Sequence, residues 1–151
     1  MVSPELIRRF PFFSGLKMDE VVKLARAAEE ETIERDKYLH HEGDLLKSIY
    51  VIVDGEVVIV TTLPQRDREI ILNTLGIGDV FGWSALVPPN IATAGAKSVT
   101  PCRLIAFDSE MLRQMFDEDP RFGFSMMQKI AQLVRDRLNA IRIETLAYQA
   151  G

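Results

Sequence analysis

The sequence predicts a small, mainly β domain of the sandwich or jelly-roll type, with short N-terminal helices before it and a long helix after it. Three observations lead there. Between about Thr32 and Phe107 the apolar residues recur at a period of two, with β-branched clusters at Ile49 to Val53, Val57 to Thr61, Ile70 to Leu72 and Leu104 to Phe107. These runs are short and punctuated by turn residues, which suits packed antiparallel sheets rather than a parallel sheet. From Arg121 to about Tyr148 no residue breaks a helical pattern. The chain 1–151 therefore reads as one domain, with helices over 1–30, the β portion over 31–107 and helices over 108–149.

Ser3-Pro4-Glu5 offers a capping hydroxyl and a proline suited to the first helical position, so a short helix should start there and stop near Phe10-Pro11. Phe10, Phe12 and Phe13 would anchor it. From Met18 to about Ala28, Val21, Val22, Leu24 and Ala25 recur at helical spacing behind Asp19 and Glu20, which favour a helix N-terminus. Asp54-Gly55 between two apolar runs predicts a tight hairpin joining Ile49–Val53 to Val57–Val60. The polar, proline-broken stretch Thr62 to Arg68 predicts an exposed connection, and Gly76, Gly78 and Gly82 predict bends. Asp108 and Asp119-Pro120 then cap two further helices. In the second, Ala131, Val134, Leu138, Ile141, Thr145 and Tyr148 alternate three and four apart, a seam of coiled-coil type that predicts self-association through this helix.

Composition narrows the function classes. Acidic residues number 22 against 18 basic, a net charge of -4, so the global field does not favour a phosphate backbone. The single cysteine, Cys102, forms no internal bridge, and no apolar run reaches the roughly 20 residues of a bilayer span; a cytoplasmic location without a membrane partner is expected. His40 and His41, as neighbours on a strand, point to opposite faces and do not share one metal. No nucleophile stands at recognisable spacing from a base, so neither a catalytic residue nor a metal site is expected. A metal-dependent jelly-roll enzyme of the cupin type is disfavoured for the same reason. Cys102 reads as a small buried thiol, and Glu29-Glu30-Glu31 as a solvated face.

In order along the chain, Glu42-Gly43-Asp44, Ile49-Tyr50-Val51-Ile52, Gly55-Glu56-Val57, Gly78-Asp79-Val80-Phe81-Gly82 and Ser84-Ala85-Leu86 resemble the cyclic-nucleotide-binding domain of the catabolite-activator and FNR-like regulators. The resemblance spans almost the whole chain. It implies a β jelly roll (double-stranded β-helix), a cyclic nucleotide such as cAMP or cGMP as the ligand, and a long C helix that forms a dimer. In that family the phosphate lies in a cassette that opens with Gly-Glu, continues in a short helix and closes with Arg and a small residue. The guanidinium and backbone N–H groups hold the phosphate, while the carboxylate accepts from the ribose. Here the cassette reads Gly82-Trp83-Ser84-Ala85-Leu86, then Val87 to Ile91, then Ala92-Thr93-Ala94. Trp83 stands where the family carries glutamate and Ala92 where it carries arginine.

Losing both groups predicts weak cyclic-nucleotide binding or a different small ligand. Trp83 either presents an aromatic wall to that ligand or fills the space left for it. Arg137, on the C helix, is the replacement cation, because Lys97 lies about 13 Å along the strand from Thr93. The alternatives are a non-binding dimerisation scaffold that engages a partner protein, or the sensor half of a Crp/Fnr-type regulator. In such regulators a helix-turn-helix follows the C helix; the sequence ends at Gly151, so direct DNA binding by this chain is not expected.

Overall fold

The computed structural model describes residues 1–63 and 67–150. The period-two segment forms eight strands: β1 (Ala28–Ile33), β2 (Tyr38–His40), β3 (Ser48–Asp54), β4 (Val57–Leu63), β5 (Arg68–Leu75), β6 (Val80–Phe81), β7 (Gly95–Ser98) and β8 (Cys102–Asp108). They pair antiparallel in two four-stranded sheets, ordered β1-β8-β3-β6 and β2-β7-β4-β5. Every connection except β4 to β5 passes from one sheet to the other, which is the connectivity of a jelly roll.

That connectivity overturns one expectation. Asp54-Gly55 does not close a hairpin: β3 pairs with β8 and β6, whereas β4 pairs with β5 and β7. A local turn signal marks where the chain reverses, but which strands then pair is decided by distant apolar matches such as Ile49 opposite Phe107 and Val51 opposite Ile105. The turn is a corner between sheets. Gly55 has φ +104°, and a Cβ there would lie 2.6 Å from the Pro101 carbonyl oxygen and 2.7 Å from Cys102 Sγ. Only glycine fits both the conformation and the space. The hairpin within a sheet is β4–β5, and residues 64–66 of its expected exposed connection lie outside the described residues.

The sheet also begins earlier than expected. β1 takes in Glu29, Glu30 and Glu31 as an exposed edge strand, with Glu30 accepting from Arg103 at 2.5 and 3.1 Å. A charged edge discourages pairing with another sheet.

Four helices flank the roll: α1 (Pro4–Arg8), α2 (Met18–Arg26), α3 (Ser109–Glu118) and α4 (Pro120–Ala150). Ser3 occupies the cap position of α1 but its hydroxyl makes no cap hydrogen bond, and Pro11–Phe13 forms an unexpected 3-10 turn. The other two caps act as the sequence predicts. Asp108 accepts from Met111 N at 2.9 Å, and Asp119 Oδ1 from Phe122 N at 3.2 Å. α4 runs unbroken, and its first turns bury Phe122, Met126 and Ile130 with Phe13, Leu24, Phe107 and Leu112. Its root is thereby fixed to the body of the domain.

Candidate functional site

Gly82 opens the cassette in the left-handed region (φ +82°), where a Cβ would press to 3.0 Å from the Ser48 carbonyl oxygen. Trp83–Leu86 follow as a single 3-10 turn, with Ala85 N donating to Gly82 O at 3.0 Å. So short a turn gives less of an anion-binding N-terminus than the cassette helix led one to expect. Its carbonyls are held from two sides. Asn90 Nδ2 donates to Ser84 O at 3.0 Å and to Ala85 O at 2.9 Å, and Arg113 Nη1 donates to Ala85 O at 2.8 Å. Arg113 was not legible from the cassette pattern, because it comes from α3; Asn90 lies within that pattern but was given no role.

The cassette borders a cavity of about 210 Å³. Of the expected ligand residues, Gly82, Trp83, Ser84, Ala92, Thr93, Ala94 and Arg137 line it. Ala85 and Leu86 do not. Ala85 is buried with Leu46 and Ala92 in a small apolar cluster, and Leu86 joins the main core. Ala92 thus serves two surfaces: the position assigned to the family's arginine is packed and apolar here. Trp83 lines the cavity and also packs against the main core.

Further lining comes from the sheets, through His40, Ile59, Leu72 and Asn73 of β2, β4 and β5 and Phe81 of β6 in the other sheet, none of which the sequence singled out as ligand residues. Leu72 and Asn73 are neighbours, and regular alternation would send them to opposite faces. Ile59 pairs with Asn73 while Val60 pairs with Ile71, so Leu72 is the extra residue of a β-bulge. The bulge is what brings both neighbours to the cavity.

α4 supplies the roof with Val134, Arg137, Leu138 and Ile141. Three of these belong to the seam assigned to a dimer, so the apolar face of α4 is shared. Its middle covers the cavity, where Leu138 still keeps 57% of its surface open, while farther out Thr145 and Tyr148 are exposed. Ala131 is exposed also.

Among the described residues, Arg137 and His40 are the only titratable ones lining the cavity. The Arg137 guanidinium donates through Nη2 to the Val80 carbonyl; burial lowers its pKa from the ordinary arginine value, partly offset by Asp79. It remains a cation, as arginine does throughout the accessible pH range. Lys97 is engaged elsewhere, 3.8 Å from Glu69 and over the Tyr38 ring.

His40 Nδ1 is sealed from solvent with no hydrogen-bond partner among the described residues. Burial holds its pKa below 6.5, against the pull of Asp44 and the Ala94 backbone. The unfolded chain therefore binds a proton that the folded chain refuses, so His40 makes stability fall as pH drops from about 6.5 towards the lowered folded value. His40→Leu should flatten that part of the profile, read as the difference in Tm between about pH 7.5 and pH 5.5. An undiminished difference in the variant would remove His40 as the cause.

His41 lies outside, stacked on Tyr38 at 4.2 Å, so the two histidines diverge as expected. Among the described residues no group of three or more His, Cys, Asp and Glu converges on a metal position, and no helix is long and apolar enough to cross a membrane. Cys102 is buried, with Sγ 3.4 Å from the Glu56 carbonyl and 3.2 Å from that of Thr100.

With this geometry in hand, known proteins provide the frame. The family model described as "Cyclic nucleotide-binding domain" matches residues 30–119. A CRP-like cAMP-activated global transcriptional regulator of Mycobacterium tuberculosis is 24% identical over 131 residues, covering 87% of this chain. The chain spans 58% of that regulator's length. The N-terminal domain of a transcriptional regulator from Streptomyces coelicolor superposes with a TM-score of 0.71 at 27% identity, covering 90% of this chain and 94% of that one. A cyclic nucleotide-binding domain from Methylobacillus flagellatus has the same fold, with a TM-score of 0.81 at 20% identity and coverage of 95% and 80%. The match runs across more than half of the sequence and takes in the roll, the cassette and α3: this chain belongs to the cyclic nucleotide-binding domain family.

Proposed function

We propose that the chain is a cytoplasmic, non-catalytic sensing module in which a small molecule enters the roll and changes the packing of α4. The observation that carries this reading is the construction of the cavity itself. One wall is the family's cassette and the roof is the middle of α4, so an occupant touches both the binding element and the output element. A ligand that interacts differently with two placements of α4 shifts their populations by that difference. The ligand is a cyclic nucleotide bound weakly, or a different small molecule, since Trp83 and Ala92 supply neither the carboxylate nor the cation of the family's cassette.

Thermal unfolding against cyclic AMP and cyclic GMP tests the reading. At 100 times its Kd a ligand stabilises the fold by about 2.7 kcal/mol, which for this size is a Tm rise of roughly 5–10 °C. Little or no rise with either nucleotide at about millimolar concentration is the expected result for a weakened cassette.

The exposed outer surface of α4 supports homodimerisation as the output: Leu138 beside the cavity and Leu146 and Tyr148 at the far end expose 57%, 62% and 89% of their surface. Light scattering at roughly tens of micromolar should give a dimer for the wild type and a monomer for Leu138→Glu. A wild-type monomer would discard the dimer. The packed cluster of Leu46, Ala85 and Ala92 favours a second reading, a scaffold that binds no small molecule and serves only to dimerise or to hold a partner protein. Failure of every tested ligand to move either Tm or α4 would select it.

A further inference from the structure

We infer that the cavity is built for a small monocarboxylate with a flat or compact apolar body, its carboxylate held by Arg137 and its body lying against Trp83. The inference deepens the ligand-sensing reading and rests on it. Charge sets the first constraint. Among the described residues no Asp or Glu lines the cavity and Arg137 is its one permanent cation, with Asp79 acting on it from outside the lining. A ligand with at most one negative charge is therefore matched, whereas a dianion would enter with a charge unpaired.

Position sets the second. The cation comes from α4 and not from residue 92, where Ala92 packs on Leu46 and Ala85. A phosphate seated at the cassette would therefore face alanine and tryptophan. The guanidinium is held by its bond to the Val80 carbonyl, and a planar fork with five N–H donors keeps others for a carboxylate.

Size and shape set the third. A volume of about 210 Å³ lies below the roughly 300–1,000 Å³ of sites for drug-sized ligands. The remaining lining is largely aliphatic and aromatic, with Trp83, Phe81, Ile59 and Leu72 around the space. An apolar body gains there by burial alone.

Trp83 is the sole tryptophan, so its fluorescence reports on the cavity directly. The full chain is titrated with benzoate, phenylacetate and 4-methylpentanoate, with benzamide and phenylacetamide as uncharged counterparts, and with cyclic AMP, each to about 10 mM. Carboxylates should change the emission saturably and bind at least about tenfold tighter than their amides. Arg137→Gln should weaken the carboxylates by about 10- to 100-fold and the amides by far less, while Arg137→Lys retains part of the preference. The amide titrations show whether the Gln variant keeps an intact cavity, and the Lys variant gives an independent reading if it does not.

Equal affinity for acid and amide, an acid preference that survives in Arg137→Gln, or no saturable response to any carboxylate would overturn the inference. Cyclic AMP binding where carboxylates do not would overturn it while leaving the sensing module intact. Carboxylate binding with no effect on α4 or on the dimer would support the ligand class and remove the sensing role.

Discussion

Trp83→Glu combined with Ala92→Arg should bind cyclic AMP about a hundredfold or more tighter than the wild-type chain, because each substitution returns a charged hydrogen bond of about 1.5 to 3 kcal/mol. The frame to receive them is present. Gly82 already has its left-handed conformation, Asn90 and Arg113 hold the cassette turn, and both altered positions line the cavity. Residue 92 also sits in a local ladder, its N donating to Asp44 O at 2.8 Å and its carbonyl accepting from Gly43 at 2.9 Å, so the backbone is fixed independently of the side chain. Isothermal titration of the double variant and of each single variant measures the effect. A double variant no better than the wild type would mean that residues 83 and 92 are not the positions at which the family holds ribose and phosphate.

Gly55→Ala should have the largest effect on stability of any glycine substitution in the roll, about 3 kcal/mol or more. An added Cβ meets both backbone and side chain below 3.0 Å, at Pro101 O and Cys102 Sγ, and the residue must also keep φ +104°. For a domain of this length such a loss lowers Tm by roughly 6–12 °C. Gly78→Ala is the control: its φ is +86°, but the nearest atom stands 3.7 Å away, leaving strain without collision. It should cost about 1 kcal/mol. Urea unfolding of the two variants side by side decides the matter, and equal losses would show that conformation alone, not the crowded corner, requires glycine at position 55.

Gly55 also shows what a sequence conveys and what it withholds. The Asp54-Gly55 signal located a reversal, and a reversal occurs there; it did not convey that the strands on either side enter different sheets, since pairing is settled by residues fifty or so positions away along the chain. Period two placed β3, β4, β5 and β8, where β-branched runs are dense. It missed the 3-10 turn at Pro11–Phe13, which depends on how Phe13 packs against Phe107. At the cavity, the cassette half was legible because a contiguous motif supplies it. The sheet half was not: His40 and Ile59 lie on separate strands, and Leu72 and Asn73 share a wall only through a bulge that no local pattern announces. Arg137 was found because the resemblance placed a polar group near that height of the C helix.

α4 is unequal along its length, and that inequality defines a lever. Phe122, Met126 and Ile130 are clamped in the core and Leu133 and Val134 still pack against its edge, whereas farther out the helix covers the cavity and, from residue 142 to 149, is exposed among the described residues. The arm beyond Ile130, about twenty residues, extends about 30 Å at 1.5 Å per residue. A tilt of about 10° at Ile130 would carry its tip about 5 Å sideways. A displacement near the fulcrum too small to alter the roll is thus multiplied at the distal end, where a companion helix would register it.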